Sequence, residues 1–299
     1  MSASRPRRSR GLAAVLLLAP APALAQGCPE HFAGGTIPAL TNPRLSAQTT
    51  PLCYRAFAVL YSGLSRTPLY AAEHLTAARV EAARRVDRVD AFHEEERLAP
   101  AARSALSDYA GSGWDRGHMA PSGDMPDPAS QAESFTLANI VPQNPDDNRR
   151  LWAGIESAVR ALAVERGDLY VVTGPLFEGG SVSSLKGRVL IPTRLFKAIL
   201  DPNRGEAGVY LAHNAPGEAW EAVSPARLAE IGGLVVFPDL PQAIRGRAMT
   251  LPEPRRDEHA GGERQPRSRR AEPSFLDWLT GEVNRMARRA WRDLLRSLH

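Results

Sequence analysis

"ESFTLANIVPQNPDDNRRLWAGIESAVRALAVER", residues 133–166, sets two periodicities back to back. The first eleven residues mix β-branched and apolar side chains and run into Pro142, the composition of a short strand. From Asn148 onward apolar residues fall at 151, 152, 155, 158, 159, 162 and 163, the spacing of one helix face. Asp146 or Asp147 can cap that helix. Upstream, "CYRAFAVLYS" (53–62) and "TPLYAAEHLT" (67–76) flank "GLSR" and predict a β-hairpin, whereas 84–113 is polar and loop-like. Downstream, "DLYVVTGPLF" (168–177) predicts a strand broken at Gly174–Pro175, and "GRVLIPTRLFKAILD" (187–201) and "AGVYLAHN" (207–214) predict two more. "SPARLAEIGGLVVFP" (224–238) predicts a helix capped by Ser224 and closed by Gly232–Gly233, then a strand. Strands mixed with a few helices over about 215 residues predict one α+β domain with mixed or antiparallel sheets, long enough to bury a full core. No internal repeat is visible.

The flanks are of a different kind. "RPRRSR", the apolar run "GLAAVLLLAPAPA" and Ala23-Leu24-Ala25 make residues 1–25 a signal peptide, implying a periplasmic or extracellular protein. The apolar run is shorter than the roughly 20 residues a spanning helix needs. Residues 26–52 read as an irregular arm. Export would take Cys28 and Cys53, the chain's two cysteines, to an oxidising compartment, where a disulfide between them would contribute on the order of 3 kcal/mol by closing a loop. The other reading, a reactive thiol, has no Cys-x-x-Cys and only His31 nearby. Residues 242–272 read as an arginine-rich linker and 273–299 as a separate amphipathic helix, with Ser274 at its start and apolar positions at 275, 279, 283, 286, 290 and 294. That helix could serve an anionic surface, or the linker could gather polyanions.

Charge needs the same division. The net +4 splits into +4 on residues 1–25, +5 on 242–299 and −5 on 26–241, so the basic total does not describe the body of the chain. Attraction to phosphate there must come from a local cluster. With 35 arginines against 2 lysines in a chain rich in Ala, Pro and Gly, an isolated arginine carries little information.

The chemistry lies in three ordered stretches: "DRGH" (115–118), "FTLANIVPQ" (135–143) and "NRRLWAGIE" (148–156). His118 offers an imidazole, neutral above about pH 6.5 when unperturbed, beside the guanidinium of Arg116, which can grip a phosphate bidentately. Asn148 and Glu156 stand eight residues apart, roughly 800° of helical rotation, so they share one side about two turns apart. Such a pair suits a hard cation that keeps much of its water, as magnesium does.

Together with "AEHLT", "SGWDRGHMAP", "VVTGPLF" and "IPTRLFKAIL", this order resembles the DNA/RNA non-specific endonuclease family, of the endonuclease G and secreted sugar-non-specific type, from about Cys53 to Pro241. The resemblance implies a nuclease domain over 53–241 built around a ββα-metal motif, magnesium as cofactor with manganese as a substitute, and DNA and RNA as substrates. It implies His118 as general base, Asn148 as the direct metal ligand and Glu156 as a ligand through water. Arg116 would contact phosphate, Asp115 would fix the turn, and Asn139 would have a supporting role. A further phosphate-binding arginine about thirty residues before the histidine is either Arg85 or Arg88, with Arg88 favoured by spacing. Ala138, Arg149 and Ile155 depart from the commonest family residues, and none of these changes removes a catalytic atom. The sequence leaves a homodimer open. The competing reading is a secreted nucleic-acid-binding or membrane-surface protein that keeps the fold without cleaving. Trp152 is read as core, His74 and His93 as structural or solvated, and Asp124 as no metal ligand despite its closeness to His118.

Overall fold

The computed structural model describes residues 28–254. The expected signal peptide, the linker beyond 254 and the C-terminal helix lie outside the described residues. In chain order the first strands are β1 (Ala39–Leu40), β2 (Thr49–Cys53), β3 (Ala58–Ser62) and β4 (Thr67–Thr76), followed by helix α1 (Ala77–Ala83) and the short α2 (Leu106–Tyr109). Then come β5 (Asp115–His118), α3 (Pro128–Ser134), β6 (Ile140–Gln143), the single turn α4 (Pro145–Asp147), a π-helical turn (Asn148–Trp152) and α5 (Ala153–Arg166). The remaining elements are β7 (Asp168–Leu176), β8 (Ser184–Leu185), β9 (Val189–Leu190), β10 (Arg194–Asp201), β11 (Glu206–His213), β12 (Trp220–Val223), α6 (Pro225–Gly232), β13 (Leu234–Val235) and α7 (Gln242–Arg245).

An antiparallel seven-stranded sheet, in the order β12-β11-β10-β7-β4-β3-β2, forms the backbone of the domain. Its central strands are covered on both faces, which explains their near-continuous apolar runs. On one face Leu195, Ile199, Leu75 and Val171 pack with Trp152, Ile155, Val159 and Leu162 of the long helical segment. On the other, Phe196, Ala198, Val172 and Val209 pack with Leu228, Phe237 and Phe32. The arm is better ordered than its sequence implies. Its strand β2 forms a sheet edge, β1 pairs with β13, and a Cys28–Cys53 disulfide ties the start of the arm to the end of β2.

Three local expectations are corrected. Gly174–Pro175 does not break β7. Beyond Thr173 this strand pairs with β10 alone, an edge position where proline is tolerated, and Gly174 is needed because a Cβ there would meet the Leu69 carbonyl at 2.4 Å and the Phe196 ring at 2.8 Å. The cap before the long helical segment is Asn144, whose side chain accepts from the N–H of Asp146 (2.9 Å) and Asp147 (3.4 Å), so neither aspartate caps it. The body also continues past 241. Met249 donates its N–H to Ala207 O (2.7 Å), Tyr210 donates its hydroxyl to Pro252 O (2.6 Å), and Met249 and Leu251 are buried in the core.

Candidate active site

Two short strands and the helix that follows them carry the three stretches. β5 pairs antiparallel with β6, Asp115 opposite Gln143 and His118 opposite Ile140, and the chain leaves β6 through α4 into the π turn and α5. Gly117 permits this close pairing, because a Cβ there would meet Gln143 Oε1 at 2.0 Å.

His118 closes β5 and is 9% exposed. Phe135 meets its ring edge-on at 4.9 Å between centroids and Phe92 lies tilted at 5.4 Å. Arg116 places its guanidinium 4.0 Å from the centroid of Phe92, and Arg88 sits 5.5 Å from that of Phe135, its Nε bonded to Asp90 (2.7 Å). Two cations therefore flank one imidazole. Burial first, then Arg88 and Arg116, push the imidazole down to about 3, so it is neutral at physiological pH. Its Nε2 is buried and has no hydrogen-bond partner among the described residues. A buried polar atom left unpaired costs about 1–3 kcal/mol, and each one calls for a physical account such as strain, a catalytic role, a water or an ion.

The chain on either side of this ring is held firmly. Asn139, fully buried, accepts the Ala120 N–H on its Oδ1 (2.9 Å) and donates its Nδ2 to Ala120 O and Ser134 O (both 2.9 Å), while its backbone carbonyl takes the Met119 N–H (3.0 Å). It thus clamps the two residues after His118. Phe92 is fixed through its neighbour: the His93 N–H donates to Phe135 O (3.2 Å) and the Leu137 N–H to His93 O (2.8 Å). Glu95 anchors the same loop, accepting from the Tyr54 hydroxyl (2.6 Å) and from Arg97 (2.7 and 2.9 Å).

Asp115 organises the second half. It accepts both Arg149 nitrogens at 2.8 Å and the Nδ2 of Asn148 at 3.0 Å. That bond sets the amide plane of Asn148 and leaves its oxygen for another partner. The π turn bears on Glu156 as well. A straight helix would leave Asn148 and Glu156 about 80° out of line over eight residues; a turn closed by i→i+5 bonds rotates less per residue and shrinks that offset. Glu156 is half-buried, and burial pushes its carboxyl up to about 7, with Lys197 and Arg160 opposing the shift and Asp124 adding to it. Among the described residues no three His, Cys, Asp or Glu side chains are grouped to hold a metal. An amide oxygen with one carboxylate about two turns along fits a cation that keeps most of its own waters, the habit of magnesium.

The structure brings His118, Arg116, Arg88 and Asn139 together, and Asn148 with Asp115. Of the two early arginines it is Arg88 that stands beside Phe135. Asp124 is engaged by Arg160 (3.0 Å), Trp152 is buried in the core, His74 pairs with Asp168 and stacks on Tyr170, and His93 bonds Ala91 O (2.9 Å). Two sets of residues escape the sequence reading. One is Phe92 and Phe135: Phe92 is an aromatic inside a polar stretch, and Phe135 opens "FTLANIVPQ" with nothing to mark it as a wall of the site. The other is the charged group behind Glu156: Glu73, whose carboxyl burial raises, Arg79, Arg160, and Lys197, 1% exposed and bonded to Thr173 Oγ1 (2.7 Å). Its signal is charge at inward positions of "AEHLT" and "LFKAIL".

The chain is similar to known proteins in sequence and in fold. Nuclease C1 of Cunninghamella echinulata var. echinulata is 35% identical over 182 residues, covering 57% of this chain and 72% of that protein. The mitochondrial nuclease EXOG of Danio rerio is 35% identical over 210 residues, covering 62% of this chain and 60% of its own length, so the chain spans under two thirds of that relative. A chain in the crystal structure of an EndoG/EndoGI complex, described as showing the mechanism of EndoG inhibition, superposes with a TM-score of 0.58 at 26% identity, over 67% of this chain and 92% of that one. These relatives overturn the periplasmic or extracellular assignment, since the EXOG nucleases of Danio rerio and Homo sapiens are mitochondrial. The physical reason is that a basic leader without acidic residues is common to secretory and mitochondrial targeting segments, so residues 1–25 do not separate the two. The profile described as DNA/RNA non-specific endonuclease matches residues 35–242, and the chain belongs to that family.

Proposed function

We propose that this chain is a magnesium-dependent endonuclease that hydrolyses internal phosphodiester bonds of DNA and RNA with little sequence preference. The observation that carries this is the buried His118 Nε2, without a protein partner among the described residues, between the guanidiniums of Arg88 and Arg116. A phosphodiester drawn to those two cations comes to lie beside the imidazole. His118 takes a proton from water as the water oxygen bonds to phosphorus; the bond from phosphorus to the leaving oxygen breaks, and that oxygen takes a proton from a second, solvent water. Arg88 and Arg116 hold the charge that builds on the phosphoryl oxygens. Asn148 would hold the magnesium ion directly and Glu156 through water, in the ββα-metal arrangement of β5, β6 and the following helix. Bound there, the ion stabilises charge on the phosphoryl group. Asn139 keeps the residues after His118 in place. These groups address phosphate, and none reads a base edge or a 2′-hydroxyl, which supports broad substrate acceptance. The test is a plasmid-nicking assay with a parallel RNA substrate: cleavage of both, abolished by EDTA and restored by magnesium, is expected. EDTA-resistant cleavage, or binding without cleavage, contradicts the proposal.

The lowered histidine gives a pH prediction. In the substrate-free protein His118 should show no imidazole titration between pH 5 and 8 by NMR, and a bound phosphodiester analogue, by offsetting the charge of Arg88 and Arg116, should move its titration upward. Stability carries the same sign. The unfolded chain binds a proton below about pH 6.5 that the folded site refuses, so His118 should make the protein less stable as pH falls from about 6.5 toward 3. Thermal melts across that window, wild type against His118→Phe, measure it; equal acid sensitivity would exclude His118 as the cause.

A further inference from the structure

We propose that Asn214, on no motif of the three stretches, is a positioning residue that sets the metal affinity of Asn148 through Asn144. The proposal rests on reading Asn148 as the direct metal ligand.

Asn214 follows β11 directly and is 6% exposed. Its side chain makes three hydrogen bonds, all to backbone. Its Oδ1 accepts the N–H of Asn144 at 2.7 Å, and its Nδ2 donates to Pro142 O at 3.0 Å and Pro192 O at 2.8 Å. Its own N–H donates to Thr193 O at 3.0 Å. One amide therefore joins three segments that lie far apart in the chain: the exit of β6, the approach to β10 and the end of β11.

The geometry leads to Asn148 in two bonds. With its N–H held by Asn214, Asn144 uses its side chain to cap Asp146 and Asp147, and its carbonyl accepts the N–H of Asn148 at 2.8 Å. A second strut runs in parallel, from the Gly217 N–H to Asp146 Oδ2 (3.2 Å). The π turn begins at Asn148, so where Asn144 sits decides where the turn starts and where the amide oxygen of Asn148 points. The partners of Asn214 demand one acceptor and two donors at one reach. Aspartate keeps the acceptor and loses both donors; alanine loses all three; glutamine is a methylene too long.

These differences separate positioning from mere fastening. Outer-shell partners of a metal ligand typically change metal affinity by about 10- to 100-fold. Manganese alone, titrated calorimetrically into the substrate-free protein, should bind about tenfold more weakly to Asn214→Ala than to wild type, and the magnesium concentration for half-maximal DNA cleavage should rise in step. The KM for DNA at saturating magnesium should stay within about twofold. Asn214→Asp retains the acceptor for Asn144, so its manganese affinity should return most of the way to wild type even though loss of two donors lowers its Tm. Affinity would then follow the acceptor and Tm the donors. Manganese affinity unchanged in Asn214→Ala, or falling in proportion to Tm in both variants, overturns the inference. Wild type and Asn148→Ala binding manganese equally would instead overturn the ligand reading, and the inference with it.

Discussion

Replacing His118 with alanine should lower kcat/KM for both DNA and RNA by about 10²- to 10⁴-fold, the usual cost of losing a general base. The expected loss falls on kcat, because Arg88 and Arg116 remain to hold phosphate. The ring is packed by Phe92 and Phe135, so alanine also leaves a cavity. Glutamine, which fills more of the space without a comparable base, separates the two effects. It should melt closer to wild type and cleave as poorly as alanine. An activity within tenfold of wild type in either variant would remove His118 from the mechanism. Arg116→Ala supplies the contrast: the imidazole stays intact while the phosphate has one cation fewer to hold it, so KM should rise alongside a fall in kcat from the charge left unbalanced on the phosphoryl oxygens.

An effect at least as large should come from the metal pair, and its two members should behave differently. Asn148→Ala removes the direct ligand and should abolish magnesium-supported cleavage at every magnesium concentration. It also releases Asp115, which would still hold Arg149 through two 2.8 Å bonds, so the fold around β5 should survive and the melt should stay near wild type. Glu156→Gln keeps the shape and removes the charge. Acting through water, it should leave measurable cleavage and raise the magnesium requirement by about tenfold. Titrating magnesium against initial rates of plasmid nicking distinguishes them. Rates in Asn148→Ala that reach wild type at saturating magnesium would show that another group is the ligand. Equal magnesium curves for Glu156→Gln and wild type would show that Glu156 does not serve the ion.

Much of this site is legible in the linear sequence. The order of "DRGH", "FTLANIVPQ" and "NRRLWAGIE" makes His118, Arg116, Asn139, Asn148 and Glu156 candidates through the family resemblance, and spacing prefers Arg88 to Arg85. The hairpin around "GLSR", the helix capped by Ser224 and the core position of Trp152 are equally legible. The hairpin, the Ser224 cap and the Trp152 position are statements about neighbours along the chain, because periodicity, caps and turn residues act within a few residues, whereas the site residues are named by the resemblance of ordered motifs. What it misses are relations between distant segments. Asp146 and Asp147 are good caps by type, yet Asn144 takes the role while its backbone N–H is held by Asn214, seventy residues away. Gly174–Pro175 is a break by composition, yet the close approach of Leu69 and Phe196 and pairing with β10 keep the strand whole. Phe92 is one aromatic in a polar loop until the His93–Phe135 hydrogen bond sets it against His118. Glu73 and Lys197 read as charges on strands, and burial under the long helix turns them inward behind Glu156. The Asn148 and Glu156 pairing stands between the two cases. Their eight-residue spacing is plain, but the π turn over Asn148–Trp152 rotates less per residue than an α-helix and has no signature in a 3.6-residue periodicity; its Leu151 and Trp152 pack into a core drawn from strands along the whole chain.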